Sequence, residues 1–271
     1  MVSITQHQSK SKLRADLQRV WRYRELFKNL LSKDIKLQYR GTFLGFVWSL
    51  LNPALLVLVY IIAFSYVLKF RSMDNWPLWL LSGILPWMLF TGSTTASANS
   101  LLSNASLIHN LDFPRMILPL VIVASHLVQF LFALVAYFLL FLPMGGAFWV
   151  GQLLFPIVLA LQVLFCVGVG LVVSVLTVYF RDLKHLLTVG LRMLVWLTPI
   201  IYTFSLIPES AQPWFRLNPM LPYIMSYHDL LYNQQLPSTT SWAFMGLFSF
   251  GFLGLGIWVF RKLQAYVEDA L

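Results

Sequence analysis

Residues 22–37 sort cleanly on a helical wheel. Tyr23, Leu26, Phe27, Leu30, Leu31, Ile35 and Leu37 share one half, and Arg22, Glu25, Lys28, Asn29, Ser32, Lys33 and Lys36 share the other. Arg24 and Asp34 intrude on the apolar half. The pattern predicts an amphipathic helix in a membrane interface, basic side toward water and lipid phosphates. After Arg40 no charged residue appears until Lys69.

Charge-free runs then set the candidate spans. Gly41–Leu68 is 28 residues, a helix of about 42 Å against a hydrocarbon core of about 30 Å. A second span is expected from Trp76 to Ser100, turning small and polar at "TGSTTASANS". Met116–Phe180 holds 65 residues without Asp, Glu, Lys or Arg. That is too long for one helix, and "PMGGAFWVG" (143–151) breaks it into a third span ending near Leu142 and a fourth from about Gln152 to Val178. A fifth is expected over Leu186–Ile207 and a sixth over Trp242–Phe260. The segment 208–240 is too apolar for a solvated loop. Its prolines at 208, 213, 219, 222 and 237 forbid one long helix. Short helices dipping into the outer leaflet fit both facts. The expected class is an all-α integral membrane protein with six transmembrane helices. A cytoplasmic N-terminus (1–40) precedes the transmembrane domain (41–260), and a short tail (261–271) follows it.

Composition supports this reading. The 271 residues are 59% hydrophobic and 11% charged, whereas a soluble domain carries about 25% charged residues. The net charge of +9 comes largely from ten of nineteen Lys/Arg lying before residue 41. A basic collar at a membrane surface explains that better than nucleic acid. With the N-terminus inside, fifteen basic residues fall on the cytoplasmic side and three outside, so both termini are expected in the cytoplasm. Trp76, Trp79, Trp149, Trp214 and Trp242 fall at the outer ends, as an aromatic belt would. No apolar signal-peptide core opens the chain. The single cysteine, Cys166, excludes an intrachain disulfide and a C-x-x-C site.

Several stretches resemble the permeases of ABC transporters that export polysaccharides (O-antigen, capsule, teichoic acid). They are "KDIKLQYRGTFLGFVWSLLNPALLVLVY", "LSGILPWMLF" (81–90), "VYFRDLKHLL" (178–187) followed by "LTPIIY" (197–202), and "LNPMLP" (217–222). They keep their order along almost the whole chain. The resemblance implies a homodimer joined to two ABC ATPase subunits. It also implies short gate helices between the last two spans, carrying Asn218, Pro219 and Met220. The loop 103–119 would hold a coupling helix that docks on the ATPase, with His109, Asn110, Asp112, Pro114 and Arg115; a simple positive-inside anchor is the alternative.

The chemistry agrees in what it lacks. Gly-Lys does not occur, so there is no P-loop. No cofactor or metal is expected in this chain, and ATP and Mg would belong to the partner. A secondary transporter would need buried Asp, Glu or His relays, yet only His126 and Arg192 fall inside spans. A membrane-bound glycan enzyme would need catalytic carboxylates, and Asp112, Asp182 and Asp229 sit in no motif. A lipid-linked polysaccharide asks for aromatic planes and scattered polar groups. Trp87, Phe90, Trp196, Tyr202 and Tyr60 are the candidates along its path, with lipid-facing or helix-packing roles as the alternative. Arg40, Arg181 and Asp182 cluster at the expected cytoplasmic mouth, where arginine forks could hold a diphosphate or merely fix topology. O-antigen is the leading substrate, with capsule or teichoic acid behind it.

Overall fold

The computed structural model describes residues 23–39, 43, 45–62, 75–264 and 267. Among them every regular element is helical. In chain order these are α1 (Arg24–Tyr39), α2 (Trp48–Ile61), α3 (Trp76–Asn99), α4 (Ala105–Asn110), α5 (Ile117–Phe141), α6 (Phe155–Tyr179), α7 (Leu183–Leu194), α8 (Gln212–Arg216), α9 (Leu221–His228) and α10 (Thr239–Leu263). Among the described residues three stretches are long and apolar enough to cross a membrane: Ile117–Phe141, Val150–Tyr179 and Thr239–Leu263.

Helix ends follow local chemistry. Asn75 takes a left-handed conformation (φ 50°) before α3, with proline in the first turn. The Ser238 hydroxyl caps α10 by accepting from the Ser241 N–H at 3.1 Å. Between α5 and α6, Gly145 supplies the positive φ (80°) that a side chain would resist.

The expected fifth span differs from a plain helix. α7 ends at Leu194, and turns replace it through Tyr202. Pro199 cannot donate to a helix ladder, and the residue before it is pushed from helical geometry. The apolar count continued, but the hydrogen-bonding capacity did not.

α3 is the central helix, with seventeen of its residues buried. α5 and α6 pack on it, and α6 packs along α10. The last contact is backbone to backbone. A Cβ on Gly168 would strike the main chain of Phe252 and Leu253, and one on Gly256 would strike the Gly168 carbonyl. Small residues that let helices approach this closely drive association where the hydrophobic effect cannot.

Two apolar clusters result. The larger gathers α3, α9 and the middle of α6. The smaller joins Leu101, Phe113, Ile117, Val175 and Phe260, and Tyr23, just before α1, with Leu26, Phe27, Leu30 and Leu31 of α1, packs on it. Much of the apolar side of α1 is therefore covered by protein, leaving less for lipid than its wheel suggests. Conversely, Leu139 of α5 and Leu247 and Phe250 of α10 remain more than half exposed, as apolar faces toward lipid or another subunit do. Two belt tryptophans turn out otherwise: Trp76 and Trp79 are buried. The Trp76 indole N–H reaches the Ile201 carbonyl, and Trp79 stacks on His228. Sequence position marked them as interfacial, but neighbouring elements cover them.

Candidate functional site

The loop between α3 and α5 is held from beneath and open above. Ile108 and Phe113 are buried in the smaller cluster. Between them His109, Asn110, Leu111 and Asp112 are exposed, Leu111 by 52%. Leu111 ends α4 in an extended conformation. Two long-range bonds fix the loop. The Tyr23 hydroxyl donates to the Asp112 carbonyl at 3.1 Å, and the Arg115 guanidinium donates to the Gln264 carbonyl at 2.6 Å. The latter sits at the C-terminal end of α10, where unpaired carbonyls favour a cation. The Tyr179 hydroxyl donates to the adjacent Leu263 carbonyl at 2.9 Å. One loop is thereby tied to both α1 and the last helix.

At the other end, α9 is a short helix buried on nearly all sides. Tyr223, Ile224, Ser226, Tyr227 and His228 are each at most 1% exposed. Three polar side chains reach three different helices. The Tyr223 hydroxyl meets Ser249 of α10 at 2.6 Å, and Ser249 donates onward to the Leu161 carbonyl of α6. The Tyr227 hydroxyl donates to Gln162 Oε1 at 2.7 Å, whose amide donates to the Pro86 carbonyl of α3 at 2.7 Å.

His228 completes the set. Its Nε2 faces the Pro199 carbonyl at 3.2 Å, which can only accept, so Nε2 carries the proton of the neutral ring. Nδ1 then accepts from the Ser82 hydroxyl at 2.8 Å. That hydroxyl is also 2.8 Å from the Trp79 carbonyl, so two acceptors compete for one proton. The ring stacks on Trp79 with centroids 3.7 Å apart, and Gly83 leaves the space it needs.

The break after α7 is tied to the segment before α9. The Asn218 amide donates to Thr198 Oγ1 at 2.7 Å and to the Leu197 carbonyl at 3.1 Å, while its oxygen accepts from the Met220 N–H at 2.9 Å. "LTPIIY" and "LNPMLP", far apart in sequence, thus meet through their central polar residues.

The family model for the ABC-2 type transporter matches residues 25–232, from the first turn of α1 to the end of the buried segment after α9. The chain belongs to the ABC-2 type transporter family. It is 34% identical over 226 residues to the O-antigen export system permease protein RfbA of Myxococcus xanthus, covering 80% of this chain and 84% of that protein. It is 30% identical over 253 residues to an RfbA of Klebsiella pneumoniae, covering 91% and 95%. It is 22% identical over 241 residues to the polysialic acid transport protein KpsM of Escherichia coli, covering 87% and 92%. Family membership makes this chain a membrane transport component.

In this ABC-2 chain the expected site residues fall into separate groups. Trp87 and Phe90 are buried in the main cluster, 5.8 Å apart, and Phe90 stacks on Phe165. Trp196 is 62% exposed, and the Tyr202 hydroxyl donates to its carbonyl at 2.6 Å. The Tyr60 side chain and Arg40 lie outside the described residues. Arg181 and Asp182 are exposed just before α7, with no ion pair between them among the described residues. Arg115 points at the end of α10, Pro114 is half-buried, and His109, Asn110 and Asp112 face outward. Asn218 and Met220 are buried and Pro219 partly so. Among the described residues no three His, Cys, Asp or Glu side chains gather to hold a metal.

Sequence reasoning missed Leu111, Gln162, Tyr223, Tyr227, His228 and Ser249. A glutamine in the middle of an apolar run was the one available signal, since a polar side chain at such depth needs a partner.

Proposed function

We propose that this chain is the permease of an ATP-driven exporter that carries a lipid-linked polysaccharide, O-antigen first, across the bacterial cytoplasmic membrane. The observation that carries the reading is similarity at 30% identity through 91% of the chain to a permease named for O-antigen export. In this reading α2, α3, α5, α6, the α7 segment and α10 are six spans with both termini in the cytoplasm. Two copies assemble with two ABC ATPases, which bind the ATP and Mg. The exposed His109–Asp112 edge is the docking surface, and its ties to α1 and α10 carry ATPase movement into the membrane. The exposed apolar stripe of Leu186, Val189, Met193 and Trp196 faces the second copy and the glycan path. The segment from Asn218 through α9 closes the outer end.

The test is genetic and biochemical. Deleting the gene should remove long-chain glycan from the cell surface and leave lipid-linked glycan inside. Restoring the chain together with its ATPase should restore export. An ATPase lacking its P-loop lysine should not. Surface glycan unchanged by the deletion refutes the proposal. Loss of a capsule instead of O-antigen would select the second reading, which the 22% identity to a polysialic acid transport protein supports.

A further inference from the structure

A cavity of about 250 Å³ lies between α2, α3 and α5. Its wall includes Met88 and Phe130, and its polar edge is Asn52, Thr91, His126 and Gln129. Among the described residues that line it, none is formally charged. The volume is the share of roughly eight waters in the liquid, the scale of one sugar ring with its hydroxyls.

The polar edge is unevenly occupied. His126 Nδ1 donates to the Ile122 carbonyl at 3.0 Å, so the neutral ring leaves Nε2 as a bare acceptor. Gly92 makes room for this edge of the ring. The Gln129 amide nitrogen donates to Gln38 Oε1 of α1 at 2.9 Å and to the Ser125 carbonyl at 3.4 Å. Both protons are used, and Gln129 Oε1 remains an open acceptor. The Thr91 hydroxyl donates to the Trp87 carbonyl at 3.0 Å and keeps its lone pairs. Asn52 is exposed at the mouth with its whole amide open. The walls therefore offer mostly acceptors, and an occupant must bring donors. Phosphate brings none and would meet no cation among the described lining residues. An ammonium group brings donors but also a charge, which no described lining residue balances; Asp34, outside the lining but felt at His126, is a nearby carboxylate, and the ammonium probe below tests this alternative. Hydroxyls supply donors without charge, and the apolar wall of Met88 and Phe130 suits the C–H side of a pyranose.

We infer that this cavity is a binding subsite for an uncharged, hydroxyl-rich group one sugar ring in size. The occupant is either a sugar of the exported glycan, which rests on the proposed function, or the glycerol of a lipid headgroup.

The probe is an alkyl glucoside with a diazirine in its chain, added to the full chain in nanodiscs. A matched primary alkylammonium probe, with N–H donors and a charge, carries the same chain. The glucoside should label peptides covering residues 85–92 and 126–133. The double variant Asn52→Leu/Thr91→Val keeps the volume but removes two hydrogen-bonding groups, and should lower that labelling about tenfold, at about 0.5–1.5 kcal/mol per bond. Gln38→Leu breaks the bridge to Gln129 from outside the cavity and should leave labelling within about twofold. Competition by added lipid-linked glycan identifies the substrate as the source. Competition by phosphatidylglycerol identifies the bilayer. Equal labelling by the ammonium probe, or labelling indifferent to the double variant, overturns the inference. Labelling requires no export, so its outcome is independent of the gene-deletion result.

Discussion

The Asn218 amide nitrogen lies 2.7 Å from the Thr198 hydroxyl, which itself donates to the Leu194 carbonyl at 2.7 Å. The relay joins the last turn of α7, the break after it and the segment leading to α9. It lets the chain leave helical geometry at Pro199 without stranding its polar groups.

Asn218→Ala should therefore strand the Met220 N–H in a buried place and take a donor from Thr198 Oγ1, which keeps only its bond to Leu194. We expect a loss of about 1–3 kcal/mol, read as a lower unfolding midpoint in detergent. Thr198→Val should cost less, because the Leu197 carbonyl still accepts from Asn218. Equal, negligible effects of both would deny the relay any part in holding the break.

Gly168→Leu or Gly256→Leu should prevent α6 and α10 from closing, since the obstacle is backbone that cannot swing aside. Folded protein should fall sharply on size-exclusion chromatography. Gly190→Ala, where a Cβ meets nothing within 4 Å, should be tolerated and raise helix propensity by about 1 kcal/mol. Normal folding of both leucine variants would show that the helices can separate.

Leu111→Asp and Arg115→Ala should separate docking from scaffolding. Leu111 is exposed, so its change should abolish co-purification of the ATPase while leaving the unfolding midpoint within about 0.5 kcal/mol. Arg115→Ala should lower the midpoint, because the Gln264 carbonyl loses its charged donor. Undiminished ATPase capture by Leu111→Asp would move the docking surface elsewhere.

Orientation is open to thiol labelling once Cys166 is replaced by alanine. Cysteines at Ala147 and Gln235 should react with an impermeant reagent from outside. Cysteines at His109 and Asp182 should react only in inverted vesicles. The reverse pattern would overturn the assignment of both termini to the cytoplasm.

Arg40→Lys and Arg181→Lys keep the charge and remove the fork that grips phosphate in bidentate fashion. If these residues collect a lipid-linked diphosphate, export should fall at least about tenfold with protein level and ATPase assembly normal. Unchanged export in both would leave them as topology signals.

The helices α3, α5, α6 and α10 were legible because their boundaries are set by where charge and small polar residues stop and start. The interruption after Leu194 was not. Hydropathy counts apolar side chains, and "LTPIIY" is apolar whether or not its backbone can form a ladder. Asp34 was legible as a misplaced charge, but its setting was not. It stands close enough to His126 of α5 for its charge to be felt there, with one carboxylate oxygen buried. The contacts around α9 escaped because they join residues such as Gln162 and Tyr227, 65 positions apart, and a wheel or window sees only neighbours. For the loop, family likeness pointed to the segment, whereas the turning of Arg115 toward α10 and the exposure of Leu111 depend on packing.

In the proposed reading, where α9 closes the outer end, its three bonds to α10, α6 and α3 would bear on how the membrane stays sealed. Withdrawing α9 as a unit leaves three buried partners unmade, at about 1–3 kcal/mol each. Summed, that holds the shut form over a withdrawn one by roughly a hundredfold to a millionfold. A cell that stores energy as an ion gradient across this bilayer could not tolerate an idle conduit flickering open with thermal motion. If α9 closes the outer end as proposed, Tyr223, Tyr227 and His228 would set the threshold that a power stroke must exceed, and so how little current the resting protein passes.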